Sequence, residues 1–257
     1  KIWNDIDRGE KAIRKQIDFG EISINNLIVK SPKIFKTQIV KDESFKARME
    51  YIEGHSGADI SMVGTREVSV NLKDALSMII NRNFEYSKLI KISNEIFLKK
   101  IDSIIKLLKS DEDLINKVNL VRKEFSKDSY LEIPCGNCHG DLTFSNIIIS
   151  RTGSLNLIDF LPTFIETPIW DIVKLMQDVK YGWSYRYLNG PERATAKIFF
   201  LNCLPSQVSM YQKVLKREIL LFDALNLARL CPYLKDKETR NWLIKSLNTS
   251  LLDLEKY

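Results

Sequence analysis

Histidine, cysteine and long apolar runs are scarce in this chain of 257 residues. Its longest apolar runs, such as 147–149 and 198–201, are far shorter than the roughly 20 residues that span a bilayer. The first ten residues carry charges of both signs and do not resemble a signal peptide. We therefore expect no membrane span and a cytoplasmic protein with reduced thiols.

The few cysteines exclude a disulfide-dense scaffold, but two of them lie close together. Cys135-Gly-Asn-Cys138-His139 fits the C-x-x-C-H pattern of c-type haem attachment, and it could also begin a zinc site. Haem attachment requires export, and a zinc site requires a second ligand pair, whereas His55 is the only other histidine. The favoured interpretation is two small, partly buried side chains.

A strong excess of charge of one sign is also missing. The chain is 44% hydrophobic and 28% charged, and its formal net charge of +6 is spread along the sequence. This composition is typical of an ordinary globular protein and excludes disorder. The modest basic excess suits an anionic ligand, and without a basic tract we expect no nucleic-acid partner.

The start of the chain is predicted to be a small unit rich in β-strands. Short segments rich in Ile, Val and Phe predict strands at 11–17, 33–40 and 45–52, the last ending in a turn at Glu53-Gly54. A short helix is predicted over 21–30, because Ser31 precedes Pro32 and is biased away from helix.

The remainder of the chain shows mainly helical periodicity. Apolar positions from Leu72 onward, including Leu89, Ile90 and Ile92, predict two or three helices over 72–127. Two short β runs, 146–149 and 155–159, are joined by a turn containing Gly153 and predict a hairpin. Further helices are predicted at 168–181 and from 191 to the end, with breaks at two prolines, Pro205 and Pro232.

One polar motif surrounds the predicted hairpin. His139-Gly-Asp141-Leu-Thr-Phe-Ser-Asn146 leads into it, and Asp159 lies where it ends. Phosphoryl transfer needs one carboxylate that orients the acceptor hydroxyl and takes its proton. It also needs an amide oxygen and a second carboxylate that hold Mg²⁺. The register of a hairpin fixes the separation of its two ends, and so of Asn146 and Asp159. The motif is therefore typical of a phosphotransferase.

These residues resemble the aminoglycoside phosphotransferase and choline kinase family, small-molecule kinases that share the protein-kinase fold. Compared with the protein-kinase signature, Gly140 replaces Arg and Leu161 replaces the last Gly. The resemblance implies that Asp141 is the catalytic Asp of a catalytic loop that His139 supports, that Asn146 and Asp159 are Mg²⁺ ligands, and that Asp171 braces the loop. It extends to Arg229-Leu-Cys-Pro-Tyr233.

The same resemblance suggests a nucleotide site in the first lobe. Met49-Glu-Tyr-Ile-Glu-Gly54 is similar to the strand and hinge that bind adenine, through the backbone groups of Glu50, Tyr51 and Ile52. Lys15 occupies the position expected for the phosphate-binding Lys, with Arg14 as the competing choice and Glu21 as the nearest acidic partner. No glycine-rich loop is found upstream, since Gly9 stands alone.

The acceptor site is the least specific part of the pattern. Aromatic residues at 181, 183, 185 and 187, with Trp170 nearby, could hold a quaternary ammonium by cation–π attraction or stack on a sugar. Packing between helices is the favoured alternative for them. Asp178 and Glu166 are the acids closest to the motif, and either could instead be a surface charge.

The expected protein is thus an α+β, bilobal, protein-kinase-like phosphotransferase. The predicted lobes are 1–54, including the hinge, and 55–257. Expected partners are ATP, Mg²⁺ and a small-molecule hydroxyl substrate of the aminoglycoside, amino alcohol or sugar type, and the oligomeric state stays open. The alternatives are an inactive nucleotide-binding scaffold and a protein kinase. Because about 49 residues precede the hinge, either the first strands lie before Lys1 or the first lobe is abbreviated.

Overall fold

The computed structural model describes residues 1–24, 27–41, 43–109, 111–234 and 236–257. Its helices are α1 (Ile6–Phe19), α2 (Gly57–Ile60), α3 (Arg66–Glu85), α4 (Asn94–Leu107), α5 (Glu112–Phe125), α6 (Ile169–Val179), α7 (Gly190–Cys203), α8 (Ser206–Val214), α9 (Lys216–Ala228) and α10 (Lys237–Glu255). Its strands are β1 (Ile2–Trp3), β2 (Glu21–Ile24), β3 (Leu27–Lys30), β4 (Ile34–Val40), β5 (Ser44–Met49), β6 (Gly54–Ser56), β7 (Lys88–Ser93), β8 (Tyr130–Cys135), β9 (Ile147–Ser150) and β10 (Leu155–Leu157). The α+β class is confirmed.

The first sheet is antiparallel, in the order β1-β5-β4, and α1 packs on it. The predicted strands at 33–40 and 45–52 correspond to β4 and to most of β5. A separate small core of Ile13, Phe45 and Ala47 fills the space between helix and sheet. Gly9 on α1 lies against this sheet, since a Cβ there would be 2.7 Å from Cδ1 of Phe45. Gly9 therefore permits close packing and is no part of a phosphate loop.

The strand predicted over 11–17 is wrong, because these residues belong to α1. The Asp5 carboxylate caps the helix by accepting a hydrogen bond from the Arg8 amide at 3.0 Å. The buried positions of α1 are Gly9, Ala12, Ile13, Gln16 and Phe19, which follow the helical period of three and four residues.

The helix predicted over 21–30 is also wrong, because the described residues of this stretch form β2 and β3, which pair antiparallel. Ile22 pairs with Val29, and Leu155 of β10 continues the sheet by parallel pairing with Val29. The resulting order is β2-β3-β10-β9-β6. Val29 is fully buried by this arrangement, so burial between non-local neighbours overrides the local preference that the proline suggested. The lobe boundary at Gly54 stays a prediction.

The helices predicted over 72–127 are interrupted by a strand. Leu89, Ile90 and Ile92 lie on β7, which pairs with β8 through Ile90 opposite Ile133. The other predicted elements are confirmed: the hairpin is β9–β10, α6 covers most of 168–181, and α7 to α10 fill the C-terminal part. Pro205 precedes α8, and Pro232 lies in a short 3₁₀ turn.

The main core lies among the helices and the second sheet. Trp170 and Phe222 pack edge to face with ring centroids 4.8 Å apart, and Phe97 stacks on Phe125 at 4.9 Å. Among the described helices, none has both the length and the apolar character that crossing a bilayer requires.

Candidate active site

The hairpin β9–β10 brings Asn146 and Asp159 to one end of the second sheet. Ile147 pairs with Leu157, and the Ile158 amide donates to the Asn146 carbonyl at 3.0 Å. Asp159 follows Ile158 directly and has a φ of 61°, a left-handed conformation that is uncommon outside glycine. The predicted proximity of these two residues therefore follows from the register of the hairpin.

Asp141 joins this pair through Asn146 and is held by a lysine. The Asn146 amide donates to the Asp141 Oδ2 at 3.0 Å and to its carbonyl at 2.7 Å. The Nζ of Lys174 lies 3.1 Å from the Asp141 Oδ1. Burial raises the pKa of the Asp141 carboxyl, but Lys174 and these hydrogen bonds outweigh burial and leave the pKa below its ordinary value. Asp141 is thus an ionised acceptor at neutral pH.

Lys174 is a site residue that the sequence reasoning missed. It is a buried residue of α6, and its Nζ also contacts the Gln177 side chain at 3.3 Å. A single lysine within the apolar stretch Ile172-Val-Lys-Leu-Met176 was the available signal, because a buried lysine needs a partner.

His139 is fixed between backbone groups. Its Nε2 lies 2.8 Å from the Ile158 carbonyl, so Nε2 carries the proton and donates, while Nδ1 accepts from the Asp141 amide at 3.2 Å. Burial lowers the pKa of His139 to about 4, which keeps the ring neutral. Both ring nitrogens are occupied, so His139 supports the loop and is unsuited to proton transfer.

Asp171, at the start of α6, holds the loop from the other side. Its carboxylate accepts from the amides of His139 and Gly140, both at 2.9 Å, and from the Asn83 side chain at 3.0 Å. Burial raises its pKa to about 6, although these hydrogen bonds lower it. Asp171 therefore connects this loop to α3, and its bracing role stays a prediction.

The position between His139 and Asp141 requires a glycine, which is Gly140. Its φ is 84°, and a Cβ at this position would lie 2.2 Å from the Leu161 carbonyl oxygen. The chain therefore needs glycine here for conformation and for space.

Lys15 is not positioned as predicted. It lies on α1 rather than on a strand, and its Nζ contacts the Glu166 carboxylate at 2.6 Å and the Leu161 carbonyl at 2.8 Å. Glu21 is wrong as its partner, since Glu21 is on β2 opposite Lys30. Arg14, the competing choice, is an exposed residue of the same helix.

Lys1 instead approaches the hairpin, and the sequence reasoning did not consider it. Lys1 precedes β1, which pairs with β5 through Trp3 and Phe45. Its Nζ lies 2.5 Å from the Asp159 Oδ1 and 5.1 Å from the centre of the Trp3 ring. A lysine at the end of this strand is therefore the cation that meets Asp159.

The predicted hinge follows β5 directly. The Glu50 amide donates to the Lys33 carbonyl at 2.8 Å, whereas the amides of Tyr51 and Ile52 find no hydrogen-bond partner in the described part of the chain. The Tyr51 side chain is 88% exposed. Two open backbone groups thus lie at the position expected to meet an adenine edge.

Several side chains considered for cation recognition are committed elsewhere. Tyr181 and Tyr185 are buried, and the Tyr181 hydroxyl donates to the Asp223 carboxylate. Asp178 is fully buried and accepts from the Phe144 amide at 2.8 Å. Glu166 pairs with Lys15. Packing, the favoured alternative, accounts for Tyr181 and Tyr185.

The cysteine motif forms no metal centre among the residues described. No cluster of three or more His, Cys, Asp or Glu side chains suited to a metal is found there. The Cys138 thiol is buried and lies 3.1 Å from Glu166, and burial raises its pKa well above the ordinary value. In the described residues the Cys138 thiol therefore bonds to Glu166 and joins no such cluster.

Asn146 and Asp159 fit a different kind of metal site. Their side chains provide oxygen donors at one end of the hairpin, and the amide nitrogen of Asn146 is already used toward Asp141. Mg²⁺ is commonly bound by one or two such protein groups and completed by substrate phosphates and water. The residues present therefore fit a Mg²⁺ that arrives with a nucleotide.

Comparison with solved structures identifies the architecture. The structure of LicA in complex with AMP matches 98% of this chain and 80% of its own length, with a TM-score of 0.53 and 17% identity. The chain has a kinase-like fold. Neither a family model nor a curated protein sequence matches the chain.

Two further solved structures match the chain at lower similarity. Aminoglycoside phosphotransferase APH(2'')-Ib covers 95% of this chain and 81% of its own, with a TM-score of 0.48 and 16% identity. An ethanolamine kinase of Plasmodium vivax covers 95% and 71%, with a TM-score of 0.48 and 16% identity. The predicted resemblance is confirmed at the level of the kinase-like fold.

Proposed function

We propose that this protein is an ATP- and Mg²⁺-dependent phosphotransferase that acts on a hydroxyl of a small molecule. The observation that carries the proposal is the grouping of Asp141, Asn146 and Asp159 around one hairpin end, with Asp141 held ionised by Lys174. Such a grouping has the carboxylates and the amide that phosphoryl transfer requires.

Asp141 orients the acceptor in this proposal. Its carboxylate, fixed by Lys174 and Asn146, accepts a hydrogen bond from the acceptor hydroxyl. The hydroxyl oxygen bonds to the γ-phosphorus as the β–γ bridging bond breaks, and the bridging oxygen leaves with its electron pair as part of ADP. The hydroxyl proton passes to Asp141.

The nucleotide is held by the hairpin end, by Lys1 and by the segment after β5. Asn146 and Asp159 would hold Mg²⁺, which supplies charge neutralisation for the β- and γ-phosphate oxygens when bound. Lys1 takes the phosphate-binding role first assigned to Lys15, because its ammonium already lies beside Asp159. The open amides of Tyr51 and Ile52 bind the adenine edge.

The acceptor is assigned only as a small molecule with a hydroxyl group. The solved structures of similar fold include a choline kinase, an ethanolamine kinase and an aminoglycoside phosphotransferase. Their sequence identity to this chain is low, so the similarity concerns the fold and does not favour any one of these acceptors.

Substitution of the two aspartates tests the proposal. We expect Asp141→Asn to abolish ATP consumption in an acceptor screen while ATP·Mg²⁺ affinity stays within about twofold, because Asp141 acts on the acceptor. Asp159→Ala should weaken ATP·Mg²⁺ binding about tenfold or more, since it removes a charged ligand. Isothermal calorimetry measures the affinities, and a coupled ADP assay measures turnover.

Asp74→Ala is the matched control, because Asp74 is exposed on α3 and forms no ion pair among the described residues. It should leave affinity and turnover unchanged. Turnover by Asp141→Asn close to that of the unaltered protein would contradict the role of Asp141. Nucleotide binding without turnover of any acceptor would favour the scaffold alternative.

A further inference from the structure

A cavity of about 540 Å³ opens beside Asp141. Its walls come from the catalytic loop, the segment after Asp159, the buried face of α6, the end of α9, and parts of α1 and α4. This volume suits one small molecule. Since Asp141 lines it, the cavity is where an acceptor hydroxyl would meet the carboxylate.

The charges of this cavity are mostly positive. Arg8, Lys100, Lys174 and Arg229 line it, and Asp141 is the only acidic residue among its lining residues. Lys174 is paired with Asp141. In the part of the chain that the structure describes, the other three cations have no carboxylate within 4.0 Å. The cavity therefore carries an uncompensated positive charge.

Arg229 is the most constrained of these cations. It follows α9, its guanidinium lies 4.7 Å from the Trp170 ring centre, and its Nη1 is buried without a hydrogen-bond partner among the described residues. Burial lowers the pKa of Arg229; the charge of Asp141 raises it, and the charge of Arg8 lowers it again. A buried donor without a partner is unfavourable, so this nitrogen is suited to an acceptor supplied by a ligand.

Lys100 on α4 faces the same cluster. Burial lowers the pKa of its ammonium, and the nearby charges of Arg229 and Arg8 lower it further. Three like charges, from α1, from α4 and from the residue after α9, repel one another in the absence of an anion. One bound anion would satisfy all three.

Among its lining residues the cavity has one carboxylate, that of Asp141, which is paired with Lys174, so it suits a cation poorly although the Phe164 and Tyr233 rings also line it. The ring of Trp183, its one tryptophan, is already covered by the Arg186 guanidinium at 3.8 Å. Asp178 and Glu166, the acids considered from the sequence, are bonded to Ser184 and Lys15. An ammonium group entering here would meet uncompensated cations.

We propose that the acceptor substrate carries an anionic group, a carboxylate or a phosphate, which Arg229, Lys100 and Arg8 bind while its hydroxyl faces Asp141. This inference rests on the proposed function and names the chemical class of its acceptor. It separates this protein from kinases whose acceptors are amino alcohols or aminoglycosides.

Anion binding to the ADP·Mg²⁺ complex tests this assignment. Inorganic phosphate and malonate are titrated separately by calorimetry, with choline as the cationic probe, and the two anions distinguish a phosphate from a carboxylate. At least one anion should bind and choline should not. Lys100→Gln and Arg229→Gln should each raise the Kd of the anion about tenfold or more, as expected for a lost charge-assisted hydrogen bond.

Lys99→Gln is the matched control, because Lys99 lies on the same helix as Lys100 but is exposed and does not line the cavity. The Kd of this variant for the anion should stay within about twofold of that of the unaltered protein. All variants should keep their ADP affinity. Binding of choline but of neither anion, or equal losses at Lys99 and Lys100, would overturn the inference. So would an anion that binds only without ADP, since the cluster would then serve the nucleotide.

The two proposals fail in distinguishable ways. If the unaltered protein does not bind ADP·Mg²⁺, the proposed function fails. If ADP binds and neither anion binds at concentrations of tens of millimolar, only the anionic acceptor is excluded.

Discussion

Lys15 and Lys1 illustrate how one side chain's neighbours decide its role. Both are lysines in the first 20 residues, but Lys15 connects α1 to Glu166 and the Leu161 carbonyl. Lys1 contacts Asp159. The first arrangement stabilises the contact between α1 and the segment after the hairpin, and the second brings a cation to the expected phosphates.

Substitution of Lys15 should therefore affect stability, whereas substitution of Lys1 should affect nucleotide affinity. We expect Lys15→Met to lower the free energy of unfolding by about 1–2 kcal/mol, a modest value because Glu166 is half-exposed, and to leave ADP affinity within about twofold. Lys1→Met should weaken ADP·Mg²⁺ binding with little change in stability. Urea denaturation and calorimetry measure the two quantities. The reverse pattern would restore the phosphate-binding role to Lys15.

At the scale of elements, the loop from His139 to Asn146 depends on glycine geometry as much as on its polar residues. Gly140 and Gly153 both have φ above 80°, but the surroundings differ. A Cβ at Gly140 would collide with the Leu161 carbonyl, whereas nothing lies within 4 Å of a Cβ at Gly153 in the hairpin turn. A side chain at Gly153 would therefore cause conformational strain alone, whereas one at Gly140 would cause both strain and a steric collision.

We expect Gly153→Ala to reduce the free energy of unfolding by about 1 kcal/mol, the strain of a left-handed alanine. Gly140→Ala should cost at least about 1–2 kcal/mol more, because the Leu161 backbone must also move. Urea denaturation of both variants measures the difference. Equal losses would show that the Gly140 loop can shift away from Leu161 without penalty.

At the scale of the whole molecule, Asp171 links parts of the chain that are distant in sequence. It bonds to Asn83 on α3 and to two amides of the catalytic loop, and Lys15 and Cys138 lie close enough to influence the charges there. Its pKa of about 6 lies above the ordinary value, so the folded protein binds this proton more tightly than the unfolded chain.

This difference has a definite sign in a stability profile. The contribution of Asp171 is largest near pH 4 and is lost as pH rises through about 6, an effect of about 2–3 kcal/mol. Asp171→Asn removes the titration. The stability advantage of the unaltered protein over this variant should therefore shrink between pH 4 and 7. Chemical denaturation across this range measures the difference in free energy of unfolding. A difference that is constant or grows with pH would contradict the raised pKa of Asp171.

Secondary structure near the start of the chain was the least predictable part. Segment 11–17 contains enough Ile to suggest a strand, and the signal for helix was the capping Asp5 together with the spacing from Gly9 to Phe19. β3 pairs not only with the adjacent β2 but also with β10, through Val29 and Leu155, and β7 pairs with the distant β8. Local preference carries no information about such partners.

The sequence by itself determined where Asn146 and Asp159 meet, because a hairpin's register is a local property. It also determined the α+β class and the kinase-like fold. Only the tertiary structure decided that Lys174 pairs with Asp141, that Lys1 rather than Lys15 meets Asp159, and that Arg8, Lys100 and Arg229 share one cavity. These contacts join different helices and strands, and packing alone brings such residues together.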